Sequence, residues 1–175
     1  MQVTKKADPL PQNPQWELIE LLFFAYRDFV GDPDEVLARF GFGRAHHRVL
    51  YFVYRASGLK VADLLDILGI TKQSLARVLK QLVDEDYIEQ REGVSDRRQR
   101  LLFVTPKGEA LVLKLVDLQT RRILRALGQL DASQREGARQ FLRAMIDDKS
   151  RGRMTRIAQD GARVPDGRNT SEEPA

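Results

Sequence analysis

Residues 59–108 decide the fold of this chain, with the sequence LKVADLLDILGITKQSLARVLKQLVDEDYIEQREGVSDRRQRLLFVTPKG. The first half of this stretch carries two sets of apolar residues at helical spacing. The sets are Val61, Leu64, Leu65 and Leu68, followed by Leu75, Val78, Leu79 and Leu82. Gly69 breaks the pattern between them, and Thr71 is a suitable N-cap for the second helix. Two short helices joined by a tight turn around a glycine predict a helix-turn-helix.

The second half of the stretch predicts a β-hairpin. Tyr87–Arg91 alternates like a short strand, and Leu101–Val104 is a second apolar strand candidate. Between them, residues 92–100 (EGVSDRRQR) are polar, turn-forming and basic. A hairpin that directly follows the second helix of a helix-turn-helix is a wing.

Working outward, helices are expected before this stretch. Asn13-Pro14 has the composition of a helix start, with Asn as the N-cap and Pro at the first helical position. One apolar stripe follows, formed by Trp16, Ile19, Phe23, Tyr26 and Val30. We expect this helix to end at Gly31-Asp32-Pro33, with a short helix over 33–40 and another over 44–56. The wide apolar stripe must be covered either by its own domain or by a second subunit.

Two more helices are expected after the hairpin. Thr105-Pro106 repeats the start signal of a capping hydroxyl followed by proline, and a long helix should run to about Leu127. Residues 131–134 have the arrangement of a capping box and should begin the last helix. From Lys149 onward the chain is rich in Arg, Gly, Ser and Asp, which predicts a disordered tail.

Composition excludes several classes of protein. The chain has 175 residues and is 42% apolar, which suits one folded domain of ordinary size. No apolar run is long enough to cross a membrane, and the N-terminus lacks the apolar stretch of a secretory signal, so the expected location is cytoplasmic. Cysteine is absent, which excludes disulfides, thiolate metal sites and cysteine redox sensing.

The net charge of +4 is unevenly distributed. Residues 1–40 hold 4 Lys/Arg against 7 Asp/Glu, whereas residues 41–106 hold 11 against 8. Charge asymmetry between segments favours a polyanionic partner, although a solvated surface explains such small differences equally well.

Residues 59–108 resemble the winged helix of the MarR family. The matching pieces follow the family's order: the recognition helix TKQSLARVLKQL, the Y-I strand start at Tyr87, the D-x-R wing motif at Asp96 and Arg98, and the exit V-T-P-K-G. The segment HHRVLYF at 46–52 also resembles the family's preceding helix, and the similarity covers about residues 15–147.

The resemblance implies a mainly α fold with a small β-hairpin wing, a winged helix-turn-helix flanked by N- and C-terminal dimerisation helices. The corresponding division is 1–40 (tail and dimerisation helix), 41–106 (DNA-binding domain), 107–148 (C-terminal dimerisation helices) and 149–175 (tail). The resemblance further implies a homodimer that binds a pseudo-palindromic operator in double-stranded DNA. A small organic ligand between the lobes often weakens DNA binding in this family, and repression is the commoner outcome. No cofactor is implied.

The second helix of the motif supplies the first set of DNA-binding candidates, namely Thr71, Lys72, Gln73, Ser74, Arg77 and Lys80. Gln73 can bond bidentately to adenine and Arg77 to guanine, whereas the lysines and Ser74 can reach phosphates or base edges. Thr71 leaves nearby amides free to meet a phosphate. On an isolated helix the same residues would only mark a solvated face.

The wing supplies the second set, Asp96, Arg97, Arg98 and Arg100. Arginine at a hairpin tip can enter the minor groove, where the negative potential is high, and we expect Arg98 to do so. By resemblance, an ion pair with Asp96 holds Arg98 in place. The alternative is a basic loop without a partner.

Other residues carry weaker signals. His46 and His47 point about 100° apart on a helix and cannot easily share a metal, so one packed and one polar histidine is the simpler interpretation. Trp16, Phe23, Tyr26 and Phe52 can line a ligand pocket, but aromatic residues at helical spacing more often form a core or an interface.

Two rival functions are weighed against DNA binding. An enzyme lacks support because the sequence shows no phosphate loop, no cysteine and no catalytic triad spacing. A winged helix that binds proteins instead of DNA would have lost the basic face, whereas Gln73, Arg77 and Arg98 are all present.

Overall fold

The computed structural model describes residues 14–93 and 96–161. Within these ranges the chain forms helices α1 (Trp16–Ala38), α2 (Arg44–Arg55), α3 (Val61–Leu68), α4 (Lys72–Asp84), α5 (Pro106–Leu127), α6 (Ala132–Met145) and α7 (Asp148–Gly161), and strands β1 (Leu59–Lys60), β2 (Ile88–Glu92) and β3 (Arg100–Val104). The predicted mainly helical fold with a small β wing is confirmed.

The helix-turn-helix and the wing form where the sequence predicted them. α3 ends at Gly69, which has a φ of 61° in the left-handed region that glycine tolerates. β2 and β3 pair antiparallel from Ile88 opposite Val104 to Glu92 opposite Arg100. Sequence reasoning missed β1, whose two residues pair with β3 and give the strand order β1-β3-β2. Two residues are too few for a periodic signal.

The core lies beneath the recognition helix and is built from the end of α1, from α2, α3, α4 and α5, and from the sheet. Its most buried side chains come from every one of these elements, and they include Val49, Leu50, Val53, Leu64, Leu75, Leu82, Ile88, Leu102 and Leu115. Because the apolar face of α4 is fully used in this core, its polar face is fixed toward the outside.

α1 differs from the prediction at both ends. It begins at Trp16, after Gln15 at the N-cap position, and the expected cap Asn13 lies outside the described residues. The helix also continues through Pro33 to Ala38 instead of ending at residues 31–33. Pro33 removes one backbone hydrogen bond, but Val30, Pro33 and Leu37 share one buried face, and this packing outweighs the local cost.

The expectation of a disordered tail from Lys149 is wrong for the part that the structure describes, because α7 occupies residues 148–161. The Asp147 carboxylate accepts a hydrogen bond from the Ser150 amide at 2.6 Å and so caps this helix. Residues 162–175 of the predicted tail lie outside the described residues.

A close contact joins the base of the wing to the start of α5. The Thr105 hydroxyl accepts from the Gly108 amide at 3.1 Å and donates to the Asp86 carbonyl at 2.7 Å. The Thr105 amide donates to the Tyr87 carbonyl at 3.1 Å. A Cβ on Gly108 would lie only 2.0 Å from that same Tyr87 oxygen, so this position requires glycine. We call this contact the Tyr87 clamp.

We expect Gly108→Ala to lower the free energy of unfolding by about 3 kcal/mol or more, because the clash is with backbone and no side-chain rotation relieves it. Urea unfolding followed by circular dichroism measures the change. Gly152→Ala is the matched control, since Gly152 lies in α7 with nothing within 4 Å of an added Cβ, and it should cost nothing or gain about 0.5–1 kcal/mol. Equal stabilities for both variants would contradict the clamp.

Candidate functional site

The outward face of α4 carries the polar residues that the sequence analysis selected. Lys72, Gln73, Arg77 and Lys80 are exposed, whereas Ser74 is half-buried. The Thr71 hydroxyl accepts from the Ser74 amide at 3.2 Å and donates to the Ser74 hydroxyl at 2.9 Å. Thr71 and Ser74 therefore cap the helix together, and the exposed long side chains are the groups free to reach a partner.

The wing turn is organised by Asp96. Its carboxylate accepts from the Arg98 amide at 2.9 Å and from the Gln99 side-chain amide at 3.3 Å. The expected Asp96–Arg98 ion pair is therefore wrong. A carboxylate two residues before a backbone amide can accept a hydrogen bond from that amide and so close the turn. The Asp96 carboxylate therefore forms no ion pair with the Arg98 guanidinium. Residues 94 and 95 of the tip lie outside the described residues.

The cations of this surface fall into two groups. Lys80 pairs with Asp84 one turn along α4, and Arg100 pairs with Glu92 across the hairpin at 2.7 Å. In the ranges that the structure describes, Lys72, Arg77, Arg97 and Arg98 have no carboxylate within ion-pair distance. Exposed ion pairs contribute little to stability, so Lys80 and Arg100 can exchange their carboxylates for phosphates at small cost.

A groove of about 770 Å³ separates α4 from the wing. Among the described residues that line it there are five cations and no carboxylate, the cations being Lys60, Lys72, Lys80, Arg98 and Arg100. Lys60 and Gln90 were missed by the sequence analysis, because their positions depend on strand pairing, of β1 with β3 for Lys60 and of β2 with β3 for Gln90. The groove joins the recognition helix and the wing into one positively charged surface.

A second cavity of about 450 Å³ lies between α1, α2 and α5. Its walls are largely aromatic and aliphatic, with three basic groups, and the lining residues are Tyr26, Phe29, Val30, Arg44, His47, Arg48, Tyr51, Phe52, Val116, Gln119, Thr120 and Ile123. Two of the four aromatic residues considered for a pocket therefore line it, whereas Trp16 and Phe23 are exposed on α1.

The basic groups at this cavity differ in their surroundings. Arg44 donates to the Asp34 carboxylate at 2.7 Å, and this hydrogen bond raises the pKa of Arg44. Burial lowers the pKa of His47 below its ordinary value of 6.5, with Asp34 opposing and Arg48 adding to the effect. His47 is therefore neutral at pH 7. Of the two arginines, Arg44 is already paired with Asp34, whereas Arg48 has no carboxylate within ion-pair distance among the described residues.

His46 has a structural role on the other side of α2. Its Nδ1 accepts from the Gly43 amide at 3.1 Å, its Nε2 lies 2.9 Å from the Gln81 side-chain oxygen, and its ring stacks on Phe42. In the described part of the chain no group of three or more His, Asp or Glu is placed to hold a metal ion.

A helix-turn-helix that presents unpaired cations beside a basic wing groove defines a winged helix DNA-binding transcriptional regulator. A model of the MarR family matches residues 40–99. A curated relative, the HTH-type transcriptional regulator PetP of Rhodobacter capsulatus, is 44% identical over 133 residues, covering 76% of this chain and 80% of PetP. The chain belongs to the MarR family of transcriptional regulators.

Solved structures share the fold. A crystal structure of MarR has a TM-score of 0.61 at 21% identity and covers 85% of this chain and 99% of its own. A single-residue mutant of S. aureus MepR bound to an oligodeoxyribonucleotide has a TM-score of 0.53 at 18% identity and covers 73% and 94%. The family consists of regulators, which confirms the expectation that the chain is not an enzyme. Among the described helices, none has the length and apolarity needed to cross a membrane.

We expect Arg77→Ala to weaken specific DNA binding by about 1–3 kcal/mol and to relax the base preference at the position that Arg77 contacts. Arg98→Ala should weaken binding and also lower the slope of affinity against salt, because an inserted guanidinium neutralises phosphates. Fluorescence anisotropy with labelled duplex at several salt concentrations measures both effects. Arg121→Ala is the control: it removes one exposed positive charge from α5 and should change neither the affinity for DNA nor its dependence on salt.

Proposed function

We propose that this protein is a homodimeric repressor that binds a pseudo-palindromic operator and is released from it by a small organic ligand. The observation that supports this most directly is the surface formed by Lys72, Gln73, Arg77 and Arg98 around the basic groove. Groups that contact base edges lie on the helix, and groups that contact phosphates and the minor groove lie beside them.

Exposed apolar faces support the homodimer. α1 exposes Trp16, Ile19 and Phe23 to between 59% and 62%, and α6 buries no side chain against its own subunit. Further large apolar residues are exposed near the end of α5 and along α6, namely Ile123, Leu124, Phe141, Leu142 and Met145. Apolar faces of this size mark an interface, and a symmetric dimer would bury the same faces of both copies.

The test is selection of binding sites from a random duplex library by the purified full-length chain. We expect enrichment of a palindrome whose half-sites lie about one DNA turn, ~34 Å, apart, and a dimeric mass by analytical ultracentrifugation. Retention of DNA without an enriched sequence would overturn specific recognition and favour a protein-interaction module. Repression itself is tested by placing the enriched site within a reporter promoter, where activation instead of silencing would contradict the proposal.

The chemistry of the cavity between α1, α2 and α5 suggests the class of ligand. Aromatic walls from Tyr26, Tyr51 and Phe52 suit a flat ring, and the Arg48 guanidinium suits an anionic group on that ring. The ligand class is therefore an aromatic carboxylate. The cavity lies between the helices proposed for dimerisation and α2 of the DNA-binding lobe, so filling it can change the angle between them.

We expect benzoate to raise the unfolding temperature and to weaken operator binding, whereas benzamide, its neutral counterpart, should do neither at equal concentration. Arg48→Gln should remove the difference between the two compounds and leave operator binding without ligand unchanged. Differential scanning fluorimetry and anisotropy measure the two effects. Equal responses to benzoate and benzamide in the unsubstituted protein would contradict an anion-binding pocket.

A further inference from the structure

Hydrogen bonds from both of its flanks fix the turn in which α7 begins. The Asp147 cap fixes its first turn, and the hydrogen bond from the Ser150 amide lowers the pKa of Asp147. The Arg151 guanidinium reaches back to α6 and donates to the carbonyls of Ile146 at 3.0 Å and Arg143 at 3.4 Å. The direction of α7 relative to α6 is therefore specified by side chains at the junction.

One face of α7 docks on the DNA-binding lobe. Among the α7 residues whose burial is described, the half-buried ones are Ser150, Arg153 and Ile157, at spacings of three and four, and α7 packs against α2. The Arg153 guanidinium donates from Nε to one Asp66 carboxylate oxygen at 3.1 Å and from Nη2 to the other at 2.9 Å. With 18% of its side chain exposed, Arg153 is the least exposed charged group among the ion pairs of the described residues.

The electrostatics agree with this geometry. The hydrogen bonds from Arg153 lower the pKa of Asp66, and the charges of Lys149 and Arg156 on the same helix lower it further. A bidentate guanidinium–carboxylate pair fixes orientation as well as distance, which a single lysine contact would not do.

Asp66 lies on α3, the first helix of the helix-turn-helix, and the pair spans 87 residues of sequence. α6, by contrast, has no fully buried side chain. We propose that α7 is a strap that links α6 to α3 and holds the recognition helix at the angle needed for DNA, with Asp66 and Arg153 as positioning residues. This proposal rests on the proposed function, in which α6 belongs to the dimer interface.

The direction in which two single substitutions change the affinity for DNA distinguishes a positioning role from a general electrostatic effect. If charge alone mattered, Asp66→Asn would strengthen DNA binding by removing a negative charge, and Arg153→Gln would weaken it. If the strap positions the helix, both variants weaken specific binding by about two- to fivefold, and the double variant is no weaker than either single one. Asp117→Asn and Arg121→Gln, the partners of an exposed pair within α5, are the matched controls.

The measurements are anisotropy on the selected operator and on operators with half-sites moved apart by one base pair, together with amide hydrogen exchange of the full-length protein without DNA. We expect Asp66→Asn to weaken binding, to reduce the preference for the natural spacing and to speed exchange in α7. Opposite signs for the two single variants, or an unchanged spacing preference, would overturn the strap.

Hydrogen exchange also separates this proposal from the proposed function. α7 amides that exchange at the unprotected rate in the unsubstituted protein would overturn the strap whatever its DNA binding. Failure of the unsubstituted protein to select any operator would overturn the proposed function instead, and protection of α7 that is lost in Asp66→Asn would then still support its docking on α3.

Discussion

The Tyr87 clamp is the constraint on which the rest of the structure depends. One carbonyl oxygen accepts the Thr105 amide and leaves no room for a side chain at residue 108. As a result, α5 leaves the sheet at a fixed angle from the base of the wing. The Tyr87 clamp therefore fixes the orientation of the wing, the recognition helix and the long helix proposed for dimerisation relative to one another. In a dimer, this contact would also set the distance between the two recognition helices.

The proposed DNA-binding surface shows how a modest net charge can serve a specific purpose. Residues 41–106 have an excess of only three positive charges, yet every charged residue that lines the groove between α4 and the wing in the described part of the chain is a cation. The acidic residues of the lobe are placed elsewhere or paired locally, as Asp84 is with Lys80 and Glu92 with Arg100. Arrangement matters more than total charge for a protein that must leave its site as well as bind it.

Features encoded locally could be predicted from the sequence. The caps at Thr71, Thr105 and Asp131 are observed as expected, because a cap needs only residues within one helical turn. Features that depend on distant partners could not be predicted. Pro33 stays helical because of packing, β1 exists because β3 lies beside it, and α7 docks on an aspartate 87 residues away. The DNA-contact residues remain predictions, and Asp96 accepts from the Arg98 backbone amide and the Gln99 side chain instead of forming the expected ion pair with Arg98.

The position of β3 between β1 and β2 has an evolutionary consequence. Because β3 is paired on both edges at Leu101 and Leu102, its register is held independently of the turn that joins it to β2. Insertions or deletions at the tip would then alter how far the hairpin extends without shifting the strands beneath it, since lengthening a surface loop costs little. During evolution, changes in the length of the tip can therefore alter how far the wing extends along DNA, and with it the sites that are recognised. The fold of the domain that carries the wing stays the same.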